Sequence, residues 1–204
     1  MKIRCIPVGA LQTNCYLAWQ EGSHTCVVID PGDEAQSLLA RIWAENLSVE
    51  AVFLTHGHFD HVGAAVSLVK ETGCALWVHE KDWTMPAGYG IAQLFPLANR
   101  DACPASFYCH GQTVNAAGLT FTVWETPGHT WGSVCLLAEN ALFSGDTLFA
   151  GSIGRTDFPG SSVEAMRASL SFLNEQTGDY TVYPGHGEAT DLAYEKAHNP
   201  FFAD

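Results

Sequence analysis

Four apolar, strand-like runs in this chain each lead into histidines or aspartates flanked by glycine, and this arrangement constrains the fold more than any other feature. Ala51-Val-Phe-Leu54 precedes His56-Gly-His58-Phe-Asp60-His61, and the alternating run Leu119-Thr-Phe-Thr-Val-Trp124 precedes His129. Ala141-Leu-Phe-Ser144 runs into Asp146, and Tyr180-Thr-Val-Tyr183 runs into His186. Open α/β sheets bind their ligands outside the C-terminal ends of strands, so the spacing predicts four strand ends gathered around one site. Gly57, Gly128, Gly145, Gly185 and Gly187 lie beside these residues, where a crowded site needs close backbone approach. Imidazole and carboxylate donors without thiolate suit divalent zinc, manganese or iron. Five histidines and two aspartates are too many for one tetrahedral ion. They are the right number for two ions that share a carboxylate, which points to a two-metal enzyme.

The motif His-x-His-x-Asp-His, followed in order by His, Asp and His, resembles the metallo-β-lactamase fold superfamily. Thr55-His-Gly-His-Phe-Asp-His61, Pro127-Gly-His-Thr130, Gly145-Asp-Thr-Leu-Phe149, Gly154-Arg-Thr-Asp157 and Tyr183-Pro-Gly-His-Gly187 are similar to the compact glyoxalase II-type hydrolases. Glu195 with Asn199-Pro-Phe201, and Asn14-Cys-Tyr-Leu17 near the other end, extend the likeness over nearly the whole chain. The resemblance implies a four-layer αβ/βα sandwich; the pattern of elements alone establishes only α/β with mixed sheets. It also implies that His56, His58 and His129 hold a first ion and Asp60, His61 and His186 a second. Asp146 would bridge the two, with Asp60 and Asp146 as the catalytic carboxylates. A water between two divalent cations loses a proton near neutral pH, from a pKa of about 16 to about 7 on zinc. The implied reaction is hydrolysis of a hydroxyacylglutathione-like thioester by a hydroxide bridging two divalent ions, zinc foremost, with iron or manganese as alternatives.

Other enzymes of the same fold stay open on these residues. A persulfide dioxygenase with a single iron shares Gly154-Arg-Thr-Asp-Phe158 and the first-site ligands, but Tyr183-Pro-Gly-His-Gly187 resembles the hydrolases. Lactone, β-lactam or other ester hydrolysis uses the same ligands, although Asp146 stands where some zinc β-lactamases carry cysteine. A non-enzymatic metal-binding or electron-carrier module fits the ligand set least well. Arg155, in the loop after Asp146, is the candidate substrate-binding cation. An Arg155–Asp157 brace that shapes the loop is the competing reading.

Net charge separates partner classes. At −13, with no basic run, the chain is poorly suited to nucleic acid. No apolar stretch reaches the length of a membrane span, and no secretory leader pattern is present, so a cytoplasmic setting is expected. The seven cysteines form no CxxC pair, consistent with a reducing compartment. Cys15, Cys26 and Cys135 read as buried, whereas Cys103 and Cys109 in a polar segment read as exposed. A small-molecule thioester is therefore the expected partner, and the oligomeric state stays open.

The 204 residues suit one hydrolase domain spanning 1–204. Further strands are expected at Lys2–Val8, Tyr16–Trp19, Cys26–Ile29 and Ala75–Val78. Helices are expected from Glu34 to Asn46, near Gly63–Thr72 and from Val163 to Leu173. Leu38, Leu39, Ile42 and Trp43 would form the buried stripe of the first, capped near Asp33. Val163, Met166, Leu170 and Leu173 would form that of the last. The segment 80–112 mixes aromatic residues with Pro and Gly and is the candidate substrate-pocket loop. Asp30, before Pro31-Gly32, reads equally as a turn residue or as an orienting partner for a metal histidine. His24, His79, His110 and His198 are isolated and read as exposed or locally hydrogen-bonded.

Overall fold

The computed structural model describes residues 1–84 and 103–202. The first sheet has six strands in chain order: β1 (Lys2–Val8), β2 (Thr13–Trp19), β3 (Thr25–Ile29), β4 (Ser48–Phe53), β5 (Ala75–Val78) and β6 (Ser106–Phe107). The first three pair antiparallel and the rest parallel. β2 and most of β3 are buried along their whole length, as expected of strands covered on both faces. Their side is covered by α1 (Ala35–Ala44) and α3 (Ala65–Thr72), with the single turn α2 (Phe59–Val62) between β4 and α3.

The second sheet is built from β7 (Thr113–Ala116), β8 (Leu119–Glu125), β9 (Val134–Ala138), β10 (Ala141–Gly145), β13 (Thr181–Pro184) and β14 (Thr190–Asp191). Between β10 and β13 lie a small hairpin, β11 (Leu148–Phe149) and β12 (Ser152–Ile153), and the helix α5 (Val163–Glu175). The only parallel pairing in this sheet, β10 with β13, shifts register between Phe143 and Gly145, immediately before Asp146. The sheets face one another across a core in which Phe53 meets Phe121 edge-on at 4.9 Å and Tyr16 meets Phe143 at 5.4 Å. Phe53, Phe121 and Phe143 are essentially without exposure. Truncating such a ring to alanine costs about 3–5 kcal/mol. With helices outside both sheets, this is the four-layer αβ/βα sandwich.

Several local expectations need correction. The first helix is not capped by Asp33: its N-cap is Glu34, in a left-handed conformation and without a side-chain cap bond. Asp33 accepts only the adjacent Glu34 N–H. Trp43 is 57% exposed, because the buried stripe narrows to Leu38, Leu39 and Ile42. Val163 is likewise exposed in the first turn of α5, where Ser162 caps and Met166, Ser169, Leu170 and Leu173 face inward. Cys103 is buried, contrary to its polar sequence context, while Cys109 is exposed; all seven cysteines are free thiols. The expected helix near Gly63–Thr72 is α3, and the loop expected before it contains a helical turn of its own that carries Asp60 and His61.

The candidate pocket segment contributes α4 (Glu80–Trp83) and β6, and its central part lies outside the described residues. The chain then ends in α6 (Leu192–His198) and a 3-10 turn, Pro200–Phe202. The buried Glu195 of α6 accepts from the Gly151 N–H, the Thr190 hydroxyl and the Asn199 amide. Asn199 also donates to the Ser152 carbonyl, so the C-terminal helix pins the β11–β12 hairpin in place. Among the described residues, no helix is long and apolar enough to cross a membrane.

One contact shows how tightly the first sheet grips the histidine-rich turn. A Cβ built on Gly32 would run into the Asp60 carbonyl, and one on Gly63 into the Gly32 carbonyl. Pro31 also accepts the Ala64 N–H at 2.9 Å. Gly32→Ala is therefore expected to destabilise the metal-stripped protein by about 1–3 kcal/mol, as an overpacking change. Urea unfolding measures this, and wild-type stability would show that the turn can move away freely.

Candidate metal centre

Each ligand-type residue sits where its strand ends. β4 delivers Thr55 and His56, then His58 at the N-cap of α2, and α2 itself carries Asp60 and His61. The loop after β8 carries His129, the exit of β10 carries Asp146, and the exit of β13 carries His186. These seven residues, forty or more positions apart in part, converge into two trios. His56, His58 and His129 have donor atoms within 4.8 Å of one another, and so do Asp60, His61 and His186. Asp146 lies between the trios. Its Oδ2 is 3.4 Å from His129 Nε2 and its Oδ1 is 3.3 Å from His61 Nε2. The sequence-predicted set is thus assembled in one place. A third close group, Asp30 with His56 and His61, overlaps both trios.

Hydrogen bonds behind the rings aim their inner nitrogens. His129 Nδ1 donates to the Arg155 carbonyl at 2.8 Å, so Nε2 keeps its lone pair and points inward, 2.8 Å from His58 Nδ1. His61 Nδ1 pairs with Asp30 Oδ2 at 2.9 Å, which leaves Nε2 facing the two aspartates. The Thr55 hydroxyl donates to Asp30 at 2.6 Å, so its oxygen accepts from His56 Nδ1 at 3.1 Å and His56 Nε2 keeps its lone pair. Asp30 therefore satisfies both readings of the sequence: it has a left-handed backbone, φ 51°, before Pro31, and it orients a site histidine.

The electrostatics divide along the same line. Burial and the neighbouring imidazoles drive His56 well below its ordinary pKa and His58 down to about 3, so these two rings are held neutral. In the second trio burial opposes charge, but the neighbours prevail. The His186 bond and the charge on His61 hold Asp60 low, and Asp146 and Asp30 raise His61 despite its complete burial. Asp146 is lowered by the histidines around it against the effect of burial.

The donor set fits divalent cations on a further count. His56 Nε2, His61 Nε2 and Asp146 Oδ1 are buried without a hydrogen-bond partner. A buried polar atom left unpaired costs about 1–3 kcal/mol, and here three of them face one space. Gly185 is required beside it, since a Cβ there would strike Asp146 Oδ1 and crowd His61 Cε1.

Above the trios opens a cavity of about 300 Å³ whose apolar wall is Leu11, Phe59, Phe149, Ile153 and Phe158, with Arg155 at its edge. The described apolar wall thus comes from the β1–β2 turn, the start of α2 and the 149–158 segment. Arg155 is engaged bidentately with Asp157 at 2.9 and 2.7 Å and lies 4.2 Å over the Phe158 ring. His24, His110 and His198 stand apart from the site. His79 is buried; its Nδ1 accepts the Lys81 N–H and its Nε2 faces Glu125 at 3.4 Å.

Three residues given no role by the sequence touch the ligand-bearing loops. Thr13 donates to Asp60 Oδ2 at 2.9 Å. Asn14 donates to the carbonyls of Pro184 and Gly187, on either side of His186. Asp82 accepts from Gly57, Thr130 and Gly132. Asn14 lay within a motif that carried the resemblance. Asp82, in an ordinary polar turn, left no signal.

Comparison with known proteins agrees with this geometry. Residues 8–186 match the family model of the metallo-beta-lactamase superfamily. The chain is 38% identical to the hydroxyacylglutathione hydrolase GloC of Haemophilus influenzae, with 98% of each chain covered. It superposes on the crystal structure of the BLEG-1 B3 metallo-beta-lactamase with a TM-score of 0.88 and 33% identity, covering 100% of both chains. The TTHA1623 protein in a di-iron-bound form superposes with a TM-score of 0.81 and 36% identity, covering 97% of this chain and 99% of that one. The chain belongs to the metallo-β-lactamase superfamily, as one of its metallohydrolases.

Proposed function

We propose that this metallohydrolase cleaves thioesters of the hydroxyacylglutathione kind with two divalent ions, zinc foremost and iron or manganese as alternatives. The observation that carries the reading is Asp146, whose carboxylate faces both trios, with Oδ2 toward His129 and His186 and Oδ1 toward His61. His56, His58 and His129 would hold one ion, and Asp60, His61 and His186 the other, with Asp146 shared. Divalent cations there supply Lewis acidity toward a carbonyl and acidify water at neutral pH.

The chain's own residues account for the rest. No serine or cysteine lines the cavity among the described residues, and Cys15 and Cys135 are buried in strands, which supports water as nucleophile. Asp60, which lines the cavity and stays ionised, would hold the second ion and accept a hydrogen bond that orients the attacking water. A thiolate leaves without a proton donor, because a thiol's pKa of about 8.5 makes it a tolerable anion. The apolar wall excludes water from the acyl group. The GloC relative supports the thioester, and the likeness to a B3 metallo-beta-lactamase makes a β-lactam the second substrate to try. The second trio is as complete as the first, which weighs against a single-iron dioxygenase. Seven free thiols support a reducing, cytoplasmic setting.

Elemental analysis is expected to find two divalent ions per chain, and a panel of acylglutathiones, lactones, β-lactams and persulfides is expected to favour the thioesters. One ion per chain, or preference for another substrate, would overturn the corresponding half of the reading. Asp146→Ala is expected to lower turnover by at least about a hundred-fold, since even partners behind the ligands contribute 10–100-fold. Near-normal activity with metal retained would show that Asp146 is not shared.

Arg155 extends the proposal to the substrate's carboxylates. Its pairing with Asp157 is exposed to solvent, where water screens the attraction, so the pair can be exchanged for a substrate anion. Arg155→Met is expected to raise KM about tenfold for carboxylate-bearing thioesters and to leave uncharged ones nearly unchanged, a charge-assisted bond contributing about 1.5 kcal/mol. Equal losses on both would leave Arg155 as the brace of its loop.

A further inference from the structure

Asp82 lies on α4, away from every ligand-type residue, yet its carboxylate gathers the backbone around one trio only. Oδ2 accepts the Gly57 N–H at 2.8 Å, from the residue between His56 and His58. The same oxygen accepts the Thr130 hydroxyl at 2.7 Å, from the residue after His129. Oδ1 accepts the Gly132 N–H at 2.7 Å, from the same loop. Asp82 is 5% exposed, so these bonds are sheltered from competing water. The two glycines are matched to it. A Cβ on Gly132 would lie 2.6 Å from Oδ1, and one on Gly57 would lie 3.1 Å from the Asp82 Cβ.

The other trio has separate support. Thr13 holds Asp60, Asp30 holds His61, and Asn14 clasps the backbone on both sides of His186. None of these three residues bonds to Asp82. Asp30 reaches across only as far as Thr55 and, through its hydroxyl, His56.

We infer that Asp82 is a positioning residue for the ion held by His56, His58 and His129, and that it sets this ion's affinity independently of the second ion's. The inference rests on the two-ion reading above. The physical basis is that His58 and His129 enter from different sheets, with His58 Nδ1 only 2.8 Å from His129 Nε2. An ion can bind between them only if both loops hold their spacing, and a buried carboxylate with three donors sets that spacing.

The test is a chelator-competition titration of metal-free protein with zinc, resolving the two binding steps, with folding followed by circular dichroism. Asp82→Asn should weaken one step 10–100-fold and leave the other within about twofold, the range for partners behind a ligand. Anomalous scattering from crystals grown at limiting zinc should then place the retained ion at Asp60, His61 and His186. Asn14→Ala should do the reverse. If Asp82→Asn fails to fold, Thr130→Val removes one of the three donors and should weaken the same step by a smaller factor. Equal weakening of both steps, or of neither, overturns the assignment. A wild-type chain that binds one ion counts against the two-ion reading instead, and Asp82 is then judged by whether its variant weakens that single step.

Discussion

The site exists only where the ends of two sheets are held edge to edge. His56, His58, Asp60 and His61 leave the first sheet, while His129, Asp146 and His186 leave the second. Backbone bonds cross this seam directly: Asn14 N–H donates to the Gly185 carbonyl at 2.8 Å, and Val134 N–H to the Thr55 carbonyl at 2.9 Å. Gly185 in turn donates to the Gly145 carbonyl, tying the His186 loop to the strand that carries Asp146. Aromatic packing between the sheets fixes their separation, and these bonds fix their register at the one end where it matters.

Gathering so many polar groups in a buried space has an energetic cost that the fold offsets in stages. Neutral imidazoles tolerate burial better than charged ones, and His56 and His58 are held neutral by their surroundings. The second trio carries its own compensation, with Asp30, Asp60 and Asp146 set against His61 and His186. What remains unsatisfied is three inward-facing atoms, and these are the atoms a shared pair of cations would take.

Local chemistry made much of this legible beforehand. The strand runs ending at Leu54, Trp124 and Ser144 are readable as short apolar or alternating segments, and each leads at its C-terminal end into a histidine or aspartate of the site. Helix faces were read less well. Trp43 and Val163 fit the helical period but lie at the margins of their stripes, and periodicity cannot say where a neighbouring layer ends. Cys103 is buried although its neighbours are polar, because burial follows the packing of distant elements. The short strands β6, β11, β12 and β14 have two residues each, too few for any period to register.

The sequence by itself determined which residue types would line the site and that strand ends would present them, and its motifs implied the sandwich through their resemblance to a known family. Motif spacing carries this information because it is local: His56 to His61 occupy one loop and one helical turn. Only the tertiary structure decided that Asp30 is both turn and orienter, and that Asp82 and Asn14 bond to the loops of opposite trios. Asp82 reaches Gly57 across 25 residues and Thr130 across 48, and Asn14 reaches Pro184 across 170. Contacts at such separations leave no repeat in the chain, because they arise from the meeting of two sheets whose strands are each specified independently.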